Sequence, residues 1–139
     1  MIVLDTDTLT FFLRNHPRVV ERVQATTDEI AITIVSRIET LQGRFDTLMK
    51  AADGAALQRG QRRLDEAERL LAKIPMILPI DAGAANEFDR LRVDKKLKKI
   101  GRGDLLIAAI TLAYRATLVT RNLKDFRQVP GLRLENWID

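Results

Sequence analysis

The feature that most constrains this chain is a recurring unit. A short, mostly β-branched apolar run stops at a polar turn, and a segment with helical spacing follows it. Ile2-Val3-Leu4 stops at Asp5-Thr6-Asp7-Thr8, and Ile30-Ala31-Ile32-Thr33-Ile34 runs into Ser36. Ile77-Leu78-Pro79-Ile80 stops at Asp81, Thr117-Leu118-Val119-Thr120 stops at Arg121-Asn122, and Leu132 to Trp137 supplies a candidate fifth strand. Runs this apolar suit strands buried on both faces, and helix-length segments between them are what parallel neighbours need to cross over. The expectation is an α/β chain: a three-layer α/β/α sandwich with a mostly parallel central sheet.

Helical spacing covers Thr8 to Leu13, Pro17 to Ala25, Ser36 to about Asp53, Ala55 to Lys73, Ala82 to about Val93, and Leu105 to Tyr114. Pro17 suits a first helical position and Asp81 an N-cap. Gly54 divides the two central segments into a helical hairpin at about 36–73. Leu64, Leu70 and Leu71 mark its apolar side, and Arg59, Arg62, Arg63 and Arg69 its polar one. With 139 residues, 46% of them apolar, the chain fits one domain, 1–139, whose core needs no staple. It has no cysteine, which excludes disulfides and thiolate chemistry. Met1 to Leu4 is too short for a leader and Leu105 to Tyr114 too short to span a bilayer, so a soluble, cytoplasmic protein with no membrane partner is expected.

The net charge is +4, unevenly spread. Arg90, Arg92, Lys95, Lys96, Lys98, Lys99 and Arg102 face only Asp94 within their segment, so this block carries +6 and the rest of the chain is net acidic. Such a block is either a solvated helix end or a guide for an anionic partner, nucleic acid first among them.

In an open parallel sheet, ligands bind beyond the carboxyl ends of the strands, so acids there are the candidates for chemistry. Asp5, with Asp7 beside it, ends the first strand; Glu39 follows the second; Asp104 opens the most apolar helix; Asn122 and Asp125 follow the fourth strand. Carboxylates gathered in one pocket repel one another and persist most readily around a hard cation such as Mg²⁺ or Mn²⁺. Each also has an ordinary role. Ser36-Arg37-Ile38-Glu39 matches a capping box, Asp104 suits a helix N-terminus, Asp5 a turn and Asp125 an Asx-type turn. His16 is the only histidine, which excludes a two-histidine acid–base ribonuclease, and there is no nucleophile elbow or phosphate-binding glycine loop. A metal-activated water is then the economical nucleophile.

Four segments in order carry a resemblance: Leu4-Asp5-Thr6-Asp7, Ile38-Glu39-Thr40-Leu41-Gln42-Gly43, Gly103-Asp104-Leu105-Leu106-Ile107-Ala108-Ala109, and Val119-Thr120-Arg121-Asn122-Leu123-Lys124-Asp125-Phe126. Together they resemble PIN-domain ribonucleases of the VapC toxin type. The likeness extends through Pro130-Gly131-Leu132 to Glu135-Asn136-Trp137. It implies a metal-dependent endoribonuclease with Asp5, Glu39 and Asp104 as Mg²⁺ ligands, Mn²⁺ being a substitute. Asn122 or Asp125 would stand near the fourth acidic position. The Thr6 hydroxyl would support Asp5, and Asn122 would orient a water, a ligand or the scissile phosphate. Asp7 stands where the family often has asparagine. The implied reaction hydrolyses an RNA phosphodiester to 5′-phosphate and 3′-hydroxyl ends. The implied partners are RNA, a second copy of the chain and a VapB-like antitoxin, with the 36–73 hairpin as the expected docking surface unless its leucines complete the protein's own core.

Two rival readings follow from the same residues. Asp5-Thr6-Asp7-Thr8-Leu9 resembles the Asp-x-Asp start of a haloacid-dehalogenase-like phosphatase, but Leu105-Leu106-Ile107-Ala108 after Asp104 leaves no second acid where that family needs one. A non-catalytic RNA-binding PIN-like module would use the basic block and keep the acids as structure.

Overall fold

The computed structural model of the protein describes all residues, 1–139. Five short strands, β1 (Ile2–Leu4), β2 (Ile30–Thr33), β3 (Met76–Leu78), β4 (Thr117–Val119) and β5 (Arg133–Glu135), form one sheet in the order β3-β2-β1-β4-β5. Every neighbouring pair is parallel, as the apolar runs and long crossovers predict. The helices are α1 (Thr6–Leu13), α2 (Pro17–Ala25), α3 (Ile34–Met49), α4 (Gly54–Ala72), α5 (Ala82–Arg92), α6 (Arg102–Ala113) and α7 (Leu123–Phe126), with a 3-10 turn over Lys95–Leu97.

Register explains why the sheet is covered on both sides. Val3 stands opposite Ala31 and Leu118, and these three join the core cluster built with α5, α6 and Phe126. Leu4 stands opposite Ile32 and Val119, which join the other cluster with Leu9, Leu13, Val19, Leu71 and Trp137. Alternate residues of a strand point to opposite faces, so apolar runs without polar interruption feed two cores at once. Helix α6 is apolar around most of its circumference and is correspondingly buried, with Ile107, Ala108, Ala109 and Ile110 inaccessible to solvent. No helix is long and apolar enough to cross a membrane.

Several boundaries differ from the sequence reading. Helix α3 begins at Ile34, because Thr33 rather than Ser36 is its N-cap and accepts from the Ser36 N–H at 3.1 Å. Helix α6 begins at Arg102 behind Gly101, which puts Gly103 and Asp104 inside its first turn. Gly54 opens α4 behind the Asp53 cap, whose side chain accepts from Ala56 N–H at 2.8 Å. Helix α7 was not expected, since four residues are too few to show a helical period.

The α3–α4 hairpin closes tightly at one point. A Cβ on Gly60 of α4 would lie 3.0 Å from Leu48 Cδ1 and 3.2 Å from Leu48 Cα. The second contact is backbone, so it yields only if the helices separate. Gly60→Val is expected to cost about 1–3 kcal/mol by overpacking, read as a fall of about 3–10 °C in melting temperature. An unchanged melting temperature would show that the hairpin is looser than this contact. Leu71 and Leu70 pack into the second core, so they do complete the protein's own interior. The apolar groups that the hairpin leaves exposed are Ile38, Phe45 and Met49 of α3 and Leu57 of α4.

Candidate active site at the switch point of the sheet

The strand order reverses beside β1, since β2 and β3 lie on one side and β4 and β5 on the other. In open parallel sheets such a reversal is where a ligand crevice forms, here beyond the carboxyl ends of β1 and β4, since α1 packs into one core cluster and Phe126 of α7 into the other. Asp5 and Thr120 are the first residues past those two strands.

Asp5 is 4% exposed and caps α1, accepting from the Thr8 N–H at 2.8 Å. Its own N–H donates to the Val119 carbonyl at 3.0 Å, which ties the start of α1 to β4. Burial pushes its carboxyl above the ordinary value; hydrogen bonds from the Thr120 hydroxyl and from Thr8 oppose this, and the charge of Asp7 adds to it. Asp104, half-buried in the first turn of α6, is pushed up to about 6. Burial is the main cause, followed by the negative charges of Asp5, Glu39, Asp7 and Asp125. A helix N-terminus favours a carboxylate. Here that benefit is outweighed by burial and by four other acids, from three other helices and a strand end, that act on the same group.

Glu39 does not close a capping box. Its Oε1 accepts from the Thr6 hydroxyl at 2.9 Å, while the Ser36 N–H is taken by Thr33. Thr6 and Ser36 hydroxyls also meet at 2.9 Å, so α1 and α3, each with its own cap in Asp5 and Thr33, are also joined by a chain of side chains. The bare Cα of Gly103 accommodates Glu39, since a Cβ there would stand 3.3 Å from Glu39 Oε2. Thr6 therefore supports Glu39, not Asp5; the groups that hold Asp5 are Thr8 and Thr120. Asn122 precedes α7, where its side-chain amide donates to Asp125 Oδ2 at 2.9 Å and its N–H donates to the Thr120 hydroxyl at 2.9 Å. The amide thus spends one N–H on Asp125, which leaves its second N–H and its carbonyl oxygen. Thr120 was missed as a site residue, although its place directly after β4, level with Asp5 after β1, marks it.

The acids share one electrostatic environment without forming a finished cage. No three His, Asp or Glu side chains stand so that they could hold one metal ion in their present positions. The donor set is nonetheless all carboxylate oxygen, the kind that hard divalent cations take.

The basic block flanks this site. Helices α5 and α6 run antiparallel, with Tyr114 at the end of α6 donating to Asp81 before α5 at 3.1 Å. Their connection, Val93 to Gly101, therefore lies at the end that carries Asp104. Arg90 and Arg92 are paired with Glu87 and Asp89, and Arg102 stacks over Phe88 at 5.1 Å. None of the ion pairs involves the block's four lysines.

The sequence model of the PIN domain matches residues 2–132. The chain belongs to the PIN domain family. Relatives span nearly the whole PIN chain. Ribonuclease VapC2 of Rickettsia felis is 30% identical over 97% of this chain and 96% of its own, and the tRNA(fMet)-specific endonuclease VapC of Salmonella typhimurium is 27% identical over the same shares. Among solved structures, VapBC2 from Rickettsia felis bound to a DNA fragment from its promoter matches with a TM-score of 0.81 and 27% identity, covering 99% of both chains. DNA-bound VapBC from Salmonella typhimurium matches with a TM-score of 0.80 and 27% identity, covering 98% of this chain and 97% of that one. The all-parallel sheet with helices on both faces is the PIN architecture, and membership removes the haloacid-dehalogenase-like alternative.

Proposed function

We propose that this PIN protein is an endoribonuclease that hydrolyses RNA phosphodiester bonds, and that it is the toxin of a VapBC-like pair. The carrying observation is the site at the switch point, where burial first, and then the charges of Asp5, Glu39, Asp7 and Asp125, push the Asp104 carboxyl up to about 6. Such concentrated negative charge, set beside a +6 block, serves a reaction on a polyanion only if a cation neutralises it. Asp5, Glu39 and Asp104 are the residues we assign to Mg²⁺, with Mn²⁺ as a substitute. Binding requires these side chains to turn toward one point, which exposed Glu39 and half-buried Asp104 are free to do. The ion would supply charge neutralisation at the phosphoryl oxygens and polarisation of the attacking water. The chain's own groups do the rest. Thr8 and Thr120 fix Asp5, the Thr6 hydroxyl holds Glu39 in reach of the site until the ion binds, and Asn122 holds Asp125 at the start of α7.

Residues 1–139 would work as one domain in the cytoplasm, with RNA as substrate and a VapB-like antitoxin as inhibitor. The exposed stripe of Ile38, Phe45, Met49 and Leu57 supports a second copy of the chain or the antitoxin covering the hairpin. The antitoxin-free protein is expected to cut total cellular RNA with Mg²⁺, to stop in EDTA and to resume when Mg²⁺ is restored. Cutting that persists in EDTA would refute the metal-dependent reading. No cutting under any condition, by protein shown to be folded, would favour an RNA-binding module without catalysis.

A further inference from the structure

Beside the acids, a hollow of about 240 Å³ runs between α1 and α3, and no hydrophobic residue lines it. It starts at Thr6 and Glu39, passes Thr10, Arg14, Thr40 and Arg44, and ends at Thr47. The protein's ion pairs use Arg22, Arg90, Arg92 and Arg121, so the guanidinium groups of Arg14 and Arg44 enter this groove unpaired. One carboxylate, Glu39, lies at its inner end, and the balance of the lining is positive.

The threonines are informative because three of the four have spent their protons. Thr6 donates to Glu39, Thr10 to the Thr6 carbonyl at 3.0 Å, and Thr47 to the Gly43 carbonyl at 3.1 Å. Thr40 is 9% exposed and its hydroxyl has no partner. A buried hydroxyl left unpaired is costly, so Thr40 gains by turning to any acceptor that enters the groove. Two free guanidinium groups and one unused hydroxyl donor describe a site for an oxyanion with several acceptor oxygens.

The groove also continues. Thr47 is shared with a second hollow of about 460 Å³ that Lys50, Arg59 and Arg63 line, and Arg59 and Arg63 are shared with a third that adds Arg62 and Arg69 together with the acids Asp65 and Glu66, its four arginines leaving the lining net positive. From Glu39 to Lys50 the helix advances about 16 Å, long enough to follow more than one phosphate of an extended strand. A ligand with one isolated phosphate would use only the first hollow, whereas a strand would use the series.

We propose that the α1–α3 groove is a phosphate-backbone subsite for single-stranded RNA. In it Arg14, Arg44 and Thr40 hold the strand next to the acids and pass it toward Lys50, Arg59 and Arg63. The proposal rests on the ribonuclease reading for its substrate class, but its test does not require cleavage.

The probe is a fluorescein-labelled ten-nucleotide single-stranded RNA, its binding followed by anisotropy in EDTA across a salt series. Arg14→Gln/Arg44→Gln is expected to lower the slope of log K against log salt by about 1.4, two phosphate contacts on a single strand. Thr40→Val, which removes a neutral donor, is expected to weaken binding a few-fold with the slope unchanged. Melting curves confirm that the variants are folded. In Mg²⁺ the double variant should raise KM with kcat within about twofold.

An unchanged slope in the double variant, with wild type cleaving RNA normally, overturns the subsite and leaves the nuclease reading intact. The expected slope change with no cleavage by wild type sustains the subsite and removes the nuclease reading. If the slope is unchanged and a polyglutamate peptide binds wild type but not the double variant, the groove serves an acidic protein segment and the proposal fails.

Discussion

Asp5→Asn is expected to lower Mg²⁺-dependent RNA cleavage by about 10²–10³-fold while the protein stays folded. The substitution separates two jobs that one carboxylate performs. As an N-cap, Asp5 accepts from the Thr8 N–H at 2.8 Å, and asparagine caps a helix about as well as aspartate. As a charge, Asp5 faces Asp104 across the switch point and raises its carboxyl, and asparagine brings no charge. Initial rates on a defined RNA, with melting curves beside them, read the two jobs independently. If the variant cleaves within threefold of wild type, Asp5 is a cap alone and the proposed ligand set is wrong.

Asp104→Asn is expected to make the metal-free protein more stable at neutral pH while abolishing its stabilisation by Mg²⁺. The Asp104 carboxyl lies at about 6 in the fold against an ordinary 3.8. Below the ordinary value both folded and unfolded chains hold the proton, so the group costs nothing. As pH rises from there toward 6 the unfolded chain ionises first, and stability is lost until the folded group has ionised too. The full difference corresponds to about 3 kcal/mol, but Asp104 is half-exposed and solvent screens its neighbours' charges, so about 1–2 kcal/mol is expected. In EDTA at pH 7.5 the variant should melt about 3–8 °C above wild type, and the two should converge below about pH 4. Added Mg²⁺ should raise wild type alone, by the mass action of an ion that binds only the folded state. A variant less stable than wild type in EDTA at pH 7.5 would mean that the helix N-terminus favours this charge more than its four neighbours oppose it.

Both predictions concern residues that the sequence reading already singles out, and the reason is local. Strand ends are visible because β-branched runs of three or four residues stop abruptly, and an acid at that stop needs no tertiary information to be noticed. What the sequence does not disclose is which neighbour each acid meets. Ser36-Arg37-Ile38-Glu39 has the letters of a capping box, but Thr33 caps the helix from one turn earlier, and Glu39 finds its donor on α1, 33 residues away. A local pattern was outcompeted by a tertiary contact that no window of sequence contains. The pairing of Thr120 with Asp5 was hidden for a related reason, since it depends on β4 lying beside β1 in one register. Helix α7 was hidden by its length alone. The basic block was legible as charge, but its place beside Asp104 required the antiparallel course of α5 and α6.

The position of β1 in the middle of the sheet sets the order in which danger arises during synthesis. Asp5 is made long before β4, its neighbour across the switch point, which begins at Thr117, and Asp104 stands 99 residues after Asp5. At about 5–20 residues per second, the ribosome takes about 5–20 s to supply the groups that complete the pocket. Through that interval the emerging chain carries its early acids, Asp5 and Asp7 and then Glu39, without Asp104, and it is harmless to the RNA that surrounds it on every side. A partner that recognises the finished fold meets the protein at the same moment that it becomes capable of cutting.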